Sequence, residues 1–139
     1  MKKQITSVVS ILLALLCLLS LASCAKTDPW ESAQYTEDAE LGSGSKSLLI
    51  EVKVNEHSVK FTVKTDEATV GAALIANGLI EGEDGAYGLY IKKVNGITAD
   101  FDVDQSYWAF YENGEYAMSG VDQTEIKEGV TYQLVYTKG

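Results

Sequence analysis

The residues of this chain that could form a binding site are concentrated near its end, in the stretch YWAFYENGEYAMSG from Tyr107 to Gly120. Its Asn113-Gly114 pair is a strong signal for a two-residue β-hairpin turn, so Tyr111 and Tyr116 should flank the turn, with Met118 just beyond. Cross-strand aromatic pairs stabilise a hairpin, which accounts for part of the rings. Amphipathic tyrosines beside a methionine also suit a large, flat, mostly apolar ligand or a protein partner.

The chain contains few of the residues that a catalytic site needs. The single histidine, His57, falls in a predicted turn, and no second histidine or free cysteine can complete a metal or nucleophile site with it. The run DFDVD, Asp100 to Asp104, is spaced as a calcium loop can begin, yet Gln105 stands where that loop needs glycine and Tyr111 where it needs glutamate. We therefore expect no enzymatic activity, no metal site and no required cofactor.

The charge balance argues against one class of partner. The formal net charge is −9, and all 11 basic residues are lysine. An acidic chain without arginine repels nucleic acid and lacks the planar side chain that binds phosphate through two hydrogen bonds. We expect no nucleic-acid partner. With 46% hydrophobic and 22% charged residues in 139, the composition is otherwise that of an ordinary globular domain.

Residues 1–23 have the layout of a secretion signal. Lys2 and Lys3 precede an apolar run from Val8 to Leu21, which is short for a transmembrane helix. The run ends in Leu-Ala-Ser-Cys, which resembles the bacterial lipobox, and that resemblance implies cleavage before Cys24 and a lipid on its sulfur. A plain secretory signal and an uncleaved anchor are the alternatives. We expect a lipoprotein signal peptide and an extracytoplasmic protein that is lipid-anchored to the bacterial cell membrane.

The rest of the chain divides into a tether and one folded domain. Residues 24–47 are rich in Asp, Glu, Ser and Gly and show no apolar periodicity, which predicts a disordered acidic tether. The folded domain is predicted over residues 48–139. It begins with two alternating segments around a turn at Asn55–Ser58, a β-hairpin pattern. A short helix should follow, capped by Thr69 and ended at Gly78.

Three further strands are expected in the segments GLYIKKVNGI, SYWAFYE and VTYQLVYTK. The alternation of the first slips before Asn95-Gly96, which indicates a bulge or a turn there. The acidic segment EGEDGAYG that precedes it is predicted to be a surface loop. Two strands, a helix and three strands is the order of an α+β fold, in which one helix packs across a mixed sheet.

Four segments together resemble the transcobalamin-like C-terminal domain family, whose bacterial members were long catalogued as a domain of unknown function. They are TVGAALIANGL, LYIKKVNGI, YWAFYENGEYAMSGVD and IKEGVTYQLVY. The resemblance implies a β-grasp (ubiquitin-like) fold. It also implies that the hairpin loop from about Tyr111 to Gly120 faces a corrin ring, with Tyr107-Trp108 and Asp122 at the same site.

The ring cluster and the resemblance together predict a lipid-anchored binding module for cobalamin or another corrinoid. The candidate ligand-binding residues are Tyr107, Trp108, Tyr111, Asn113, Tyr116, Met118 and Asp122. The alternative is a protein-interaction or structural module of the cell envelope with no small-molecule ligand, which would meet its partner through a sheet edge or the same hairpin. The expected partners are the membrane, through the lipid on Cys24, and a corrinoid or an envelope protein.

Overall fold

The computed structural model describes residues 28–139, so the predicted signal peptide, the lipidation site at Cys24 and the first residues of the predicted tether lie outside the described part. The chain divides into two compact units, residues 1–31 and 32–139. A 3-10 turn spans Pro29–Ser32 at their boundary. Within residues 28–139, no helix has both the length and the apolar character needed to cross a membrane.

The second unit contains nine strands and two short helices. The strands are β1 (Ala39–Gly42), β2 (Lys46–Val54), β3 (His57–Thr65), β4 (Ile80–Gly85), β5 (Gly88–Val94), β6 (Ile97–Thr98), β7 (Ser106–Glu112), β8 (Glu115–Tyr116) and β9 (Thr131–Lys138). The helices are α1 (Val70–Ala76) and α2 (Phe101–Asp104), and a second 3-10 turn covers Val121–Gln123.

The strands form two sheets. Six of them make a mixed sheet in the order β1-β3-β2-β9-β7-β8, in which β1 runs parallel to β3 and β2 runs parallel to β9. The other three make a small antiparallel sheet in the order β4-β5-β6. The predicted α+β class is therefore confirmed, whereas the second sheet was not expected from the sequence.

The predicted surface loop EGEDGAYG forms β4 and its turn. The strand pairs with β5 from Ile80 opposite Val94 to Gly85 opposite Gly88, with a register shift between Glu81 and Gly82. The loop prediction was wrong because every residue of β4 after Ile80 is exposed, so its sequence carries no alternation of apolar and polar residues.

The core lies on one face of the mixed sheet. Strands β2 and β3 each bury every second residue, as their alternation predicts. Helix α1 begins where expected, because the Thr69 hydroxyl accepts a hydrogen bond from the N–H of Ala72 at 3.2 Å. It ends at Ala76 with Asn77 as its C-cap, and Gly78 follows with a φ of +67°. The helix buries Val70, Gly71, Ala73 and Leu74.

The described part of the predicted tether differs from a disordered segment. Strand β1 pairs with β3, from Ala39 opposite Phe61 onward. The N–H of Tyr35 donates to Asn95 Oδ1 at 2.8 Å, and Asn95 Nδ2 donates back to the Tyr35 carbonyl at 2.9 Å. The Tyr35 ring meets Phe61 edge-on, with centroids 5.4 Å apart. This segment is held in the fold by main-chain pairing and by one aromatic ring. Such contacts produce no apolar periodicity, so the sequence pattern could not show that the segment is ordered.

Candidate functional site

A cleft of about 440 Å³ opens where β5, β7 and the segment after β8 meet. Strand β5 contributes Leu89, Tyr90 and Ile91, and β7 contributes Tyr107, Trp108 and Phe110. The third wall runs from Tyr116 to Val121. These walls come from both sheets, so the cleft exists only in the assembled fold.

The rim of the cleft exposes large apolar side chains. Tyr87, in the turn between β4 and β5, is 97% exposed, and Met118, after β8, is 100% exposed. Tyr116 and Tyr90 are also exposed. An exposed group of apolar side chains of this kind commonly marks a binding surface.

The lining of the cleft contains no charged side chain. Its described residues are aromatic, aliphatic, small or, in the case of Gln123 and Ser119, uncharged and polar. This contrasts with the chain as a whole, in which 22% of the residues are charged. Because a carboxylate or phosphate needs a cationic partner when it leaves water, the cleft suits a ligand that is uncharged where it is bound.

A second cleft of about 460 Å³ adjoins the first. It is lined by Lys92, Asp100, Phe101 and Asp102, and it shares Tyr90 and Tyr107 with the first cleft. The Lys92 ammonium lies 3.4 Å from the Glu83 carboxylate. The second cleft therefore has three charged residues in its lining, Lys92, Asp100 and Asp102, whereas the lining of the first cleft has none.

The family model described as Domain of unknown function (DUF4430) matches residues 67–138. The chain belongs to this family. The matched region runs from three residues before α1 through β9, so every residue that lines the first cleft lies within the DUF4430 domain. Strands β1 to β3 precede it and complete the mixed sheet.

The solved structures similar to this DUF4430 protein include the following two. A protein from Ruminococcus gnavus, described as a candidate metal-binding protein, is 31% identical with a TM-score of 0.64, and the match covers 68% of this chain and 99% of that one. Haptocorrin in complex with Cbi is 23% identical with a TM-score of 0.50. That match covers 66% of this chain but only 25% of haptocorrin, and at this identity it shows a shared fold alone. No curated protein matches the chain.

Four of the seven predicted ligand-binding residues line the first cleft of the DUF4430 domain. They are Tyr107, Trp108, Tyr116 and Met118. Tyr111 lies behind Tyr116, with the two rings edge-on and their centroids 5.4 Å apart. This is the cross-strand pair expected from the hairpin, and it supports Tyr116 from outside the cleft.

Asn113 lies outside the lining and fixes the hairpin instead. Its φ of +48°, followed by +83° at Gly114, is that of the tight turn predicted for this pair. The Asn113 N–H donates to the Thr131 carbonyl at 2.8 Å, and its Oδ1 accepts from the Thr131 N–H at 3.0 Å. Asn113 therefore ties the hairpin to the start of β9.

Asp122 also lies outside the lining and packs between two glycines. A Cβ atom placed on Gly88 or on Gly120 would come within 3.0 Å of the Asp122 carboxylate. Among residues 28–139, no group donates a hydrogen bond to its buried Oδ1. The carboxylate fills the space between the start of β5 and the loop after β8, and so helps to set the distance between these two walls of the cleft.

Sequence reasoning missed the β5 wall and the rim residue Tyr87. The signal for Tyr87 was present, because an aromatic residue in an acidic, glycine-rich segment has no core to join. A strand was expected in the segment that forms β5, but nothing in the sequence showed that it would meet β7. That meeting depends on the second sheet.

The acidic residues after β6 form a helical turn. Residues Phe101–Asp104 form α2, and Asp100 is its N-cap. Hydrogen bonds from the Ser106 hydroxyl and, at 3.1 Å, from the Ser106 N–H hold the pKa of Asp104 below its usual value. Across residues 28–139, no group of three His, Cys, Asp or Glu side chains is placed to hold a metal ion.

Proposed function

We propose that this protein is an extracytoplasmic, lipid-anchored binding module whose first cleft takes cobalamin or another corrinoid. The observation that carries the proposal is the uncharged lining, with rings in its walls and a rim of exposed apolar side chains. A corrinoid presents a flat ring system with neutral amide side chains. Such a body can cover the apolar walls without placing a charge against them.

The comparison with haptocorrin supports the same ligand class. That protein shares the fold of this chain and was solved in complex with Cbi. The likeness, together with the four segments described above, supports a transcobalamin-like relationship and a β-grasp arrangement of the mixed sheet and α1. The cleft volume of about 440 Å³ lies within the range of small-molecule sites.

Tyr87 and Met118 are the residues on which this function can be tested most cleanly. Each is almost fully exposed, so its replacement by alanine costs the fold little, while a bound ligand would cover it. We expect Tyr87→Ala and Met118→Ala each to weaken corrinoid binding by about tenfold, which corresponds to about 1.4 kcal/mol. The measurement is quenching of tryptophan fluorescence during titration of the full-length chain with cyanocobalamin and with dicyanocobinamide.

Ile75→Ala is the matched control for these two variants. Ile75 is a large apolar side chain on α1, exposed by 49%, and it does not line either cleft. Its replacement should leave binding unchanged. An absence of quenching at millimolar corrinoid in the unaltered protein would discard the corrinoid ligand.

The membrane anchor is proposed for Cys24. Replacement of its sulfur in Cys24→Ser removes the atom that a lipid would be joined to. We expect the protein to move from the membrane fraction to the soluble fraction of the envelope, or to stay with an uncleaved signal peptide. Unchanged fractionation together with an unchanged mass would refute lipidation at this residue. The module itself is proposed to catalyse no reaction.

The exposure of the rim favours one other function. Four exposed apolar side chains around one opening would also suit an envelope protein as a partner. The two functions differ in their response to Tyr116→Ser, since a corrinoid site loses small-molecule affinity and a protein site loses only the partner. Loss of partner capture with unchanged corrinoid titration would favour the second function.

A further inference from the structure

The main-chain N–H and C=O groups of successive residues in β7 point alternately to the two edges of the strand. The Asn113 N–H donates to the Thr131 carbonyl at 2.8 Å, and the register continues with Tyr111 opposite Gln133 and Ala109 opposite Val135. Antiparallel ladders alternate between hydrogen-bonded and non-hydrogen-bonded pairs. Ala109 and Tyr111 therefore direct their main-chain groups toward β9, and the residues between them direct theirs toward the other edge.

The other edge of β7 is only partly covered. There the Phe110 carbonyl accepts a hydrogen bond from the Ala117 N–H at 3.0 Å, just past the end of β8. Trp108 lies two residues before Phe110 and points its N–H and C=O to the same edge. Between residues 28 and 139, no strand pairs with this edge at Trp108 and no loop supplies it with a main-chain hydrogen bond.

The side chain of Trp108 also carries a polar group without a hydrogen-bond partner among the described residues. The residue is 7% exposed and lines the first cleft. Its indole Nε1 is buried, and no described residue accepts a hydrogen bond from it. A buried donor without an acceptor is costly, and when one occurs at a cleft it points to a group that the ligand brings.

The unpaired donors and acceptor of Trp108 define which chemical group the ligand must bring. Two N–H donors and one C=O acceptor on one residue call for a neutral group that offers both a carbonyl oxygen and an N–H. A carboxamide offers both side by side. A carboxylate offers only oxygens, and the lining of the cleft has no cation to accompany it.

We infer that Trp108 binds carboxamide groups of the ligand, through its main-chain N–H and C=O and its indole N–H. The inference rests on the binding function proposed above and specifies which part of the ligand is recognised. The rings and the exposed rim would then hold the flat body of the ligand, while Trp108 selects its amide substituents.

Two corrinoids that differ in these groups test the inference on the full-length protein. Dicyanocobinamide carries carboxamides, whereas the heptamethyl ester of dicyanocobyrinic acid carries esters, which keep the carbonyl and lose the N–H. We expect the amide compound to bind at least about tenfold more tightly, because a lost donor leaves the Trp108 carbonyl unpaired. Equal affinity for the two compounds would overturn the inference and leave the binding function standing.

Amide hydrogen exchange, followed by NMR, gives a second measurement on the same complex. Exchange of the Trp108 main-chain N–H should slow by at least about tenfold when dicyanocobinamide binds, because the N–H then gains an acceptor. The Ala109 N–H, already bonded within the ladder, is the internal control and should change little. The indole resonance of Trp108, which lines the cleft, should shift as well.

The outcomes separate the two proposals. Unchanged exchange at Trp108 in a complex that shifts the Met118 resonances would show a ligand in the cleft without amide recognition, and so overturn the inference alone. Failure of both corrinoids to bind would contradict the proposed function, and the inference would fail with it.

Discussion

Two hydrogen bonds between Ser45 and Asp66 hold two segments of the chain together. The N–H of Ser45 donates to Asp66 Oδ1 at 2.9 Å, and its hydroxyl donates to the same oxygen at 2.8 Å. First the N–H and then the hydroxyl lower the pKa of Asp66 below its usual 3.8. The pair joins the residue before β2 to the segment between β3 and α1.

This pair predicts a small loss of stability in acid. Because the pKa of Asp66 is lower in the folded state, its contribution is fully present above the unfolded pKa, near 3.8, and is lost as the pH falls through the folded value. Ser45→Ala removes the hydroxyl and keeps the N–H, so the pKa of Asp66 should rise part of the way toward its usual value. NMR titration of the Asp66 carboxyl measures this.

The neighbouring Ser43→Ala is the control for this titration. Ser43 is exposed like Ser45, and it donates no hydrogen bond to Asp66. Its replacement should leave the pKa of Asp66 where it is. An identical pKa of Asp66 in the unaltered protein and in Ser45→Ala would show that the hydroxyl does not act on this carboxyl.

At the scale of elements, α1 and the second 3-10 turn pack through their backbones. A Cβ atom placed on Gly71 would lie 2.9 Å from the Asp122 nitrogen and 3.0 Å from the Val121 carbonyl carbon. Both neighbours are main-chain atoms, so they cannot rotate away as a side chain could. The 3-10 turn also forms one wall of the cleft through Val121, which couples the position of the helix to the site.

Gly71→Ala should therefore destabilise the protein, although alanine favours a helix. The gain in helix propensity is at most about 1 kcal/mol. Forcing an extra methyl against a fixed backbone costs about 1–3 kcal/mol, so we expect a net loss of up to about 2 kcal/mol. Urea denaturation measures it, with Ile75→Ala as the exposed control on the same helix. Greater stability in Gly71→Ala would show that the 3-10 turn can move away.

The elements also show what sequence patterns could reveal. The hairpin of β2 and β3 and the caps of α1 at Thr69 and Gly78 were predicted, because alternation and capping are local properties. Strand β4 was missed because its pairing involves the main chain while its side chains stay in water. Only part of the cleft could be predicted in the same way. The β7 wall belongs to a hairpin that is visible in the sequence, whereas the β5 wall depends on contact between two sheets, which no local pattern reveals.

At the scale of the whole molecule, the residues before β2 belong to the fold. Strand β1 covers the outer edge of β3, which would otherwise present unpaired main-chain groups to other chains. Asn95, fully buried with a φ of +50°, accepts from and donates to the main chain of Tyr35. The turn after β5 is thereby tied to a segment 60 residues earlier in the chain.

Removal of this segment should weaken the entire domain. We expect a chain that starts at Leu48 to be less stable than one that starts at Ser32 by about 2–4 kcal/mol, since it loses the Tyr35 ring, the β1 ladder and the partners of Asn95. It also loses the first two residues of β2 and the hydrogen bonds from Ser45 to Asp66. This corresponds to a melting temperature lower by roughly 10–20 °C. Tyr35→Ala in the longer chain separates the contribution of the ring from that of the ladder.

Because the shorter chain also uncovers the edge of β3, it should self-associate at concentrations where the longer chain stays monomeric, which analytical ultracentrifugation can measure. Equal melting temperatures and equal association of the two chains would mean that residues 32–47 act only as the tether that their composition predicts.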